Sequence, residues 1–173
     1  KVLFMKNRTV DKFRGWLLNF AVEGAKPIYA KVFGKDRKPW SISSEDLKKC
    51  PPDSLGSALV TFLNQHNFSL IPLYERHDVF HVLLGYPPQI IEESGMQFFL
   101  LGNGKYTPSV FITVIFSVLL IPDHLGYFIR EYKKGKKCLP IGNWEFQYLL
   151  NEPVQVLQNQ IFGERVEEDS IHF

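Results

Sequence analysis

The sequence holds only two cysteines, Cys50 and Cys138, and they form no CxxC pair. That excludes a disulfide framework and a cysteine-based zinc site, and it points to a reducing compartment. Long apolar runs are missing too. The most apolar stretch, Val110 to Ile121, is well short of the roughly 20 residues that a membrane-spanning helix needs. Lys1 to Val10 lacks a continuous apolar segment, so no signal peptide is expected there. Charge of one sign is scarce, with 20 Lys and Arg against 18 Asp and Glu and a net charge of +2. This balance argues against nucleic acid as the partner. There is no internal repeat, low-complexity linker, Gly-rich phosphate loop or nucleotide fingerprint, and no motif surrounds a Ser or Cys nucleophile. Strand-like alternation is weak, with Ile28 to Phe33 the sole candidate. The expectation is a soluble or peripherally attached protein.

What is present fits one core. A chain of 173 residues lies near the usual size of one domain and buries roughly 70% of its unfolded surface, so residues 1–173 read as a single domain. Phenylalanine is abundant, at 15 residues, which suits either a bulky core or an apolar ligand pocket. Val10 to Glu23 reads as a first helix, limited by Pro27. Gly34 to Pro52 reads as a loop with one short helix after Ser43 or Ser44. Ser54 suits the N-cap of a helix from Leu55 to His66, whose Leu55, Leu59, Phe62 and Leu63 share a face. Leu73 to Leu84 is apolar on most sides and is closed by Gly85, the pattern of an interior helix. Pro88 then opens a helix to about Leu101, and Gly102, Asn103 and Gly104 end it. Pro108 opens the long apolar segment, and Pro122 breaks it before a basic-ended piece to Lys134. Trp144 to Leu150 and Val154 to Phe162 read as the final helices. The fold class is all-α, a bundle of seven or eight helices.

The chemistry concentrates in Arg76-His77-Asp78-Val79-Phe80-His81 and in Glu93. His77 and His81 stand one helical turn apart on nearly the same face, the spacing at which two imidazoles hold one metal. Asp78 lies about 100° round the helix, as a splayed third ligand or as an acceptor for an imidazole N–H. Glu93 follows a tight Gly-Tyr-Pro-Pro turn, and a helical hairpin would return it to the histidines. Two imidazoles with one or two carboxylates suit zinc first, and also Fe(II), Co or Mn. A hydrogen-bonded histidine network is the competing interpretation. Burying His, Asp, His and Glu on an apolar helix is costly unless they pair or bind a metal. His66 and the Asp123-His124 pair are further candidate ligands, though their spacing singles out neither.

His77-Asp78-x-x-His81-x11-Glu93 resembles the full motif of the coenzyme Q (ubiquinone) biosynthesis protein four family. The segment PDSLGSALVTFLNQHNF from Pro52 to Phe68 is similar to that family's, as are Phe80 to Tyr86, Tyr132-x-x-Gly135, Trp144-Glu145 and Glu152-Pro153. The resemblance spans about residues 51–162, a helical core with the metal motif, in the manner of the bacterial-type members. Departures are Glu92 for a usual glycine, Phe98 for a tryptophan, Asn103 for a glutamine and Gln158 for an arginine. The resemblance implies a helical, often dimeric protein binding a divalent metal and a prenyl lipid or prenylated quinone precursor. It implies His77, Asp78, His81 and Glu93 as ligands, with quinone-biosynthesis enzymes as partners. The expected place is the cytoplasm, peripheral on the inner membrane, or the matrix face of the mitochondrial membrane if the source is eukaryotic. It further implies oxidative decarboxylation at ring carbon one, with O2 as oxidant. A non-catalytic lipid-presenting scaffold is the alternative, and a metal-dependent hydrolase using His66 and Asp123 a third.

The apolar segment bears on the lipid. Phe111, Ile115, Phe116 and Leu119, with their neighbours, make it apolar nearly all round, so it is either a buried core helix or the wall of a prenyl-tail groove. Lys133, Lys134, Lys136 and Lys137, with Arg130, form the dense basic cluster. They suit anionic lipid headgroups, and equally a solvated helix C-terminus.

Overall fold

Ser43 caps the first described helical turn from both directions. Its hydroxyl accepts from the Asp46 amide, and the Asp46 carboxylate accepts from the Ser43 amide. A computed structural model of the chain describes residues 38–163, so the helix expected at Val10 to Glu23 and the strand candidate at Ile28 to Phe33 lie outside them. The described residues form seven α-helices and no strand. These are α1 (Ser44–Leu47), α2 (Leu55–Gln65), α3 (Glu75–Leu84), α4 (Ile90–Gly102), α5 (Pro108–Leu120), α6 (Leu125–Lys137) and α7 (Val154–Phe162). Two 3-10 turns, Pro122–His124 and Phe146–Tyr148, complete the described elements.

Most boundaries follow the local signals. Ser54 caps α2 by accepting from the Ser57 amide. Gly85 ends α3 in the left-handed conformation at φ 73°, which costs glycine nothing. Pro108 occupies the first turn of α5. The chain bends by 103° at Pro122, where the proline can neither donate to the helix ladder nor fit within it. Helix α4 starts at Ile90 with Gln89 as its N-cap, two residues past Pro88, and α6 runs on to Lys137.

Trp144 to Leu150 does not form the expected helix, and only Phe146–Tyr148 makes a 3-10 turn. Two carbonyls here are committed elsewhere. The Leu55 amide donates to the Glu152 carbonyl at 2.9 Å, and the Gly56 amide to the Leu150 carbonyl at 2.8 Å. The segment thus satisfies N–H groups that α2 would otherwise leave unpaired in its first turn. Pro153 bars any continuation.

The main core gathers Leu55, Leu59, Leu63, Val79, Phe80, Leu83, Met96, Phe99, Phe146 and Ile161 with their neighbours. A smaller cluster of Phe98, Ile121 and Phe128 seals the junction of α4, α5 and α6. Helices α4 and α6 approach backbone to backbone. A Cβ on Gly102 would lie 2.0 Å from the Tyr132 carbonyl oxygen, and one on Gly135 2.0 Å from that of Phe99. Asn103 locks the same end. Its side-chain amide donates to the Gly135, Cys138 and Leu139 carbonyls, and its oxygen accepts from the Ile141 amide at 2.9 Å.

The apolar segment corrects one alternative drawn from the sequence, because α5 is not a core helix. Its buried residues are Val110, Thr113 and Ser117, whereas Phe111, Ile115, Phe116 and Leu119 are exposed. Ser117 donates to the Thr113 carbonyl at 2.7 Å, and its oxygen accepts from the Ser94 hydroxyl of α4 at 2.8 Å. Small polar residues let α5 seat closely on α4, with Val114 and Leu120 packed on the smaller cluster and the exposed apolar residues facing outward.

Candidate metal centre

Three helices and one turn build the site. Helix α3 places His77 and His81 on one face, with ring centroids 4.7 Å apart. The Tyr86-Pro87-Pro88 turn brings α4 alongside, and Glu93 in its first helical turn reaches both rings. Glu93 Oε1 lies 2.9 Å from His77 Nε2, and Oε2 lies 3.0 Å from His81 Nε2. One ligand atom from each of His77, His81 and Glu93 falls within 4.8 Å of the others. From α2, Phe62 stacks on the His81 ring at 5.3 Å and 15°, closing that side with an apolar wall. His81 is buried, while the His77 side chain remains 38% exposed, so the site opens at His77.

Donor and acceptor matching says what such a site can hold. His81 Nδ1 lies 2.7 Å from the Tyr86 carbonyl. A carbonyl oxygen only accepts, so Nδ1 carries the proton. The neutral ring then presents an Nε2 lone pair to the Glu93 carboxylate, two acceptors 3.0 Å apart. Only a further proton, on the ring or on the carboxylate, or a cation between the two satisfies them. The histidine–carbonyl bond is the arrangement that orients histidines in metal centres. Gln97 donates to Glu93 Oε1 at 2.9 Å and steadies the carboxylate.

The electrostatics describe the metal-free pair. Burial opposes charge on both partners, but it is outweighed by their mutual attraction. Glu93 is held well below its ordinary range by His77 and His81. His77 is raised to about 9 by Glu93 and Asp78 against the opposing effect of burial. Asp78 Oδ1 stands 3.6 Å from His77 Nδ1, long for a hydrogen bond but close for a charge contact. Asp78 therefore orients His77 from behind and is not among the three converging ligands. Glu92 turns away from the histidines and accepts from the Tyr127 hydroxyl at 2.6 Å.

The described fold is shared with a solved protein. In the crystal structure of a "putative ubiquinone biosynthesis protein" from Nostoc punctiforme, the match covers 88% of this chain and 86% of that one. The identity is 20% and the TM-score 0.57. The likeness is one of fold, and the neighbour's description names the pathway to which the His-Asp-His-Glu motif pointed. No family model matches the chain, and no curated protein matches it.

The remaining candidates stand apart from the cluster. His66 lies beyond Phe62, with ring centroids 4.9 Å apart, and Asp123 and His124 occupy the turn between α5 and α6. The set that a helical phosphohydrolase would need is therefore not assembled. Lys133, Lys136 and Lys137 are exposed along the end of α6. Lys134 is exposed as well, but its ammonium turns back over the Phe162 ring, 5.2 Å from the centroid. Sequence reasoning overlooked Tyr86, Gln97 and Phe62 as supports of the centre. Tyr86 and Gln97 carried a usable signal, since one follows the α3-terminating glycine and the other lies four residues after Glu93.

Proposed function

We propose that the chain binds a divalent metal, zinc first among the candidates, through His77, His81 and Glu93, and serves quinone biosynthesis with a prenylated precursor as its ligand. The observation that carries this reading is the His81 ring. Its proton is fixed on Nδ1 by the Tyr86 carbonyl, which leaves Nε2 and the Glu93 carboxylate as facing acceptors. The resemblance of the motif and the fold shared with the Nostoc protein supply the pathway.

A metal bound there would supply charge stabilisation to a ring carboxylate and its neighbouring hydroxyl as carbon dioxide leaves. The chain's own residues prepare the rest. Phe62 excludes water from the His81 side, Gln97 and Asp78 hold the ligand side chains in place, and the exposed flank of His77 leaves an approach for the ring. Exposed Phe111, Ile115, Phe116 and Leu119 on α5 offer apolar surface to a prenyl tail or to the bilayer that carries it, and Lys133, Lys136 and Lys137 suit anionic headgroups. The chain would then work as a peripheral membrane protein, as a homodimer and beside other quinone-biosynthesis enzymes. The outward apolar face of α5 also favours a second reading, in which the protein presents lipid to those enzymes and the metal only ties α3 to α4.

Elemental mass spectrometry of protein purified without added metal, for wild type and His81→Ala together, tests the proposal. A near-stoichiometric divalent metal that is lost in the variant is the expected result. Metal absent from both proteins would sink the metal centre and leave the lipid-presenting reading.

A further inference from the structure

We infer that Tyr86 is a positioning residue for the metal centre, tying the orientation of His81 on α3 to helix α6 through its hydroxyl bond to Glu131. The inference rests on the metal reading proposed above and adds a residue that touches no ligand atom with its side chain.

Tyr86 acts at two ends. Its backbone carbonyl accepts the His81 Nδ1 proton at 2.7 Å, so its position sets both the tautomer and the rotation of the ring. Its side chain is buried, with the hydroxyl donating to Glu131 Oε2 on α6. The ring packs 6.2 Å from Phe99 of α4, and the Lys134 ammonium stands 5.7 Å from its centroid. The residue before it, Gly85, is left-handed, and glycine by itself resists rotation poorly. A turn built on that glycine needs an external anchor if its next carbonyl is to keep a fixed direction. Pro87 and Pro88 contribute stiffness on the other side, but neither can donate a hydrogen bond. The phenol–carboxylate bond is the directional tether on this side chain, beside the packing of its ring, and bonds of this charge-assisted kind are about twice as strong as neutral ones.

Two conservative variants test the tether on the full chain. Tyr86→Phe keeps the ring and removes the hydroxyl, while Glu131→Gln keeps an oxygen that can still accept from the phenol. Zinc affinity is measured by competition with a chromophoric chelator, alongside thermal unfolding of the metal-free proteins. Tyr86→Phe is expected to bind zinc about tenfold more weakly, the usual effect of losing a group that supports a ligand from behind. Glu131→Gln should stay nearer to wild type. In the zinc-loaded proteins, the His81 Nδ1 proton should exchange with solvent faster in Tyr86→Phe than in wild type, a change that lost packing alone would not produce. Wild-type affinity and exchange in Tyr86→Phe would overturn the inference while leaving the metal centre standing. A wild-type protein that binds no zinc, nor any other divalent metal, would overturn both.

Discussion

Glu92 and Glu93 are neighbours in the chain, yet their carboxylates serve different helices. Glu93 meets His77 and His81 of α3 at 2.9 and 3.0 Å, and Glu92 accepts from Tyr127 of α6 at 2.6 Å. On a helix, consecutive residues diverge by about 100°, which is enough to split the pair between two tasks. Gln in place of Glu93 should abolish metal retention, because the amide removes the charge and one of the two acceptor oxygens. Glu92→Gln should retain the metal. Metal content of the two purified variants decides this, and loss in both would show that the site draws on the pair together.

The His77–Glu93 contact gives the metal-free protein a pH dependence of predictable sign. His77 titrates near 6.5 when unfolded and at about 9 when folded. The stabilisation is therefore complete below about pH 6.5 and is lost as the pH rises towards 9. Thermal unfolding of chelator-treated protein should show the midpoint falling across that interval. Metal affinity should move the other way, since a cation competes with the protons on His77. A flat midpoint between pH 6 and 9 would contradict the geometry of the pair.

Gly135→Ala should be destabilising despite alanine's better helix propensity. The added methyl would sit 2.0 Å from the Phe99 carbonyl oxygen, and a backbone atom of a packed helix cannot step aside. Overpacking of this kind costs roughly 1–3 kcal/mol or more, against a propensity gain of about 1 kcal/mol. Denaturant unfolding would measure the balance, and a stabilised variant would mean that α4 and α6 separate more easily than their contact implies.

Ile115→Lys and Leu119→Lys should leave folding almost untouched, within about 0.5 kcal/mol as at ordinary surface positions. Ile115 is 55% and Leu119 68% exposed, so neither charge would be buried. The same changes should weaken sedimentation with vesicles that contain anionic lipid. Strong destabilisation would show that this face is covered by another part of the protein or by a second copy.

Much of the fold was legible because local chemistry decided it. Ser54, Gly85, Pro108 and Pro122 each act through their own backbone or side chain, and each does in the structure what its residue type requires. The histidine pair and Glu93 were legible for a related reason, since helical spacing and a short hairpin bring them together with no distant contact. The failures were tertiary. Residues 144–150 have helical spacing of apolar side chains, but the Leu150 carbonyl is taken by the Gly56 amide and the Glu152 carbonyl just beyond by that of Leu55, a pairing across the fold that no window of sequence contains. Helix α5 was ambiguous because it is apolar all round. Ser117 faces inward where α4 offers Ser94 as a partner, and that preference exists only once the two helices meet.

The glycine crossings between α4 and α6 bear on how far a sequence with this fold can diverge. Contact of backbone on backbone carries no side-chain identity, so neighbouring letters can be exchanged without altering the distance between the two helix axes. Bulk at Gly102 or Gly135 is what drift cannot supply. A lineage could rewrite many of the residues around these crossings and still keep α4 and α6 in contact, provided that those two positions stay empty of side chains.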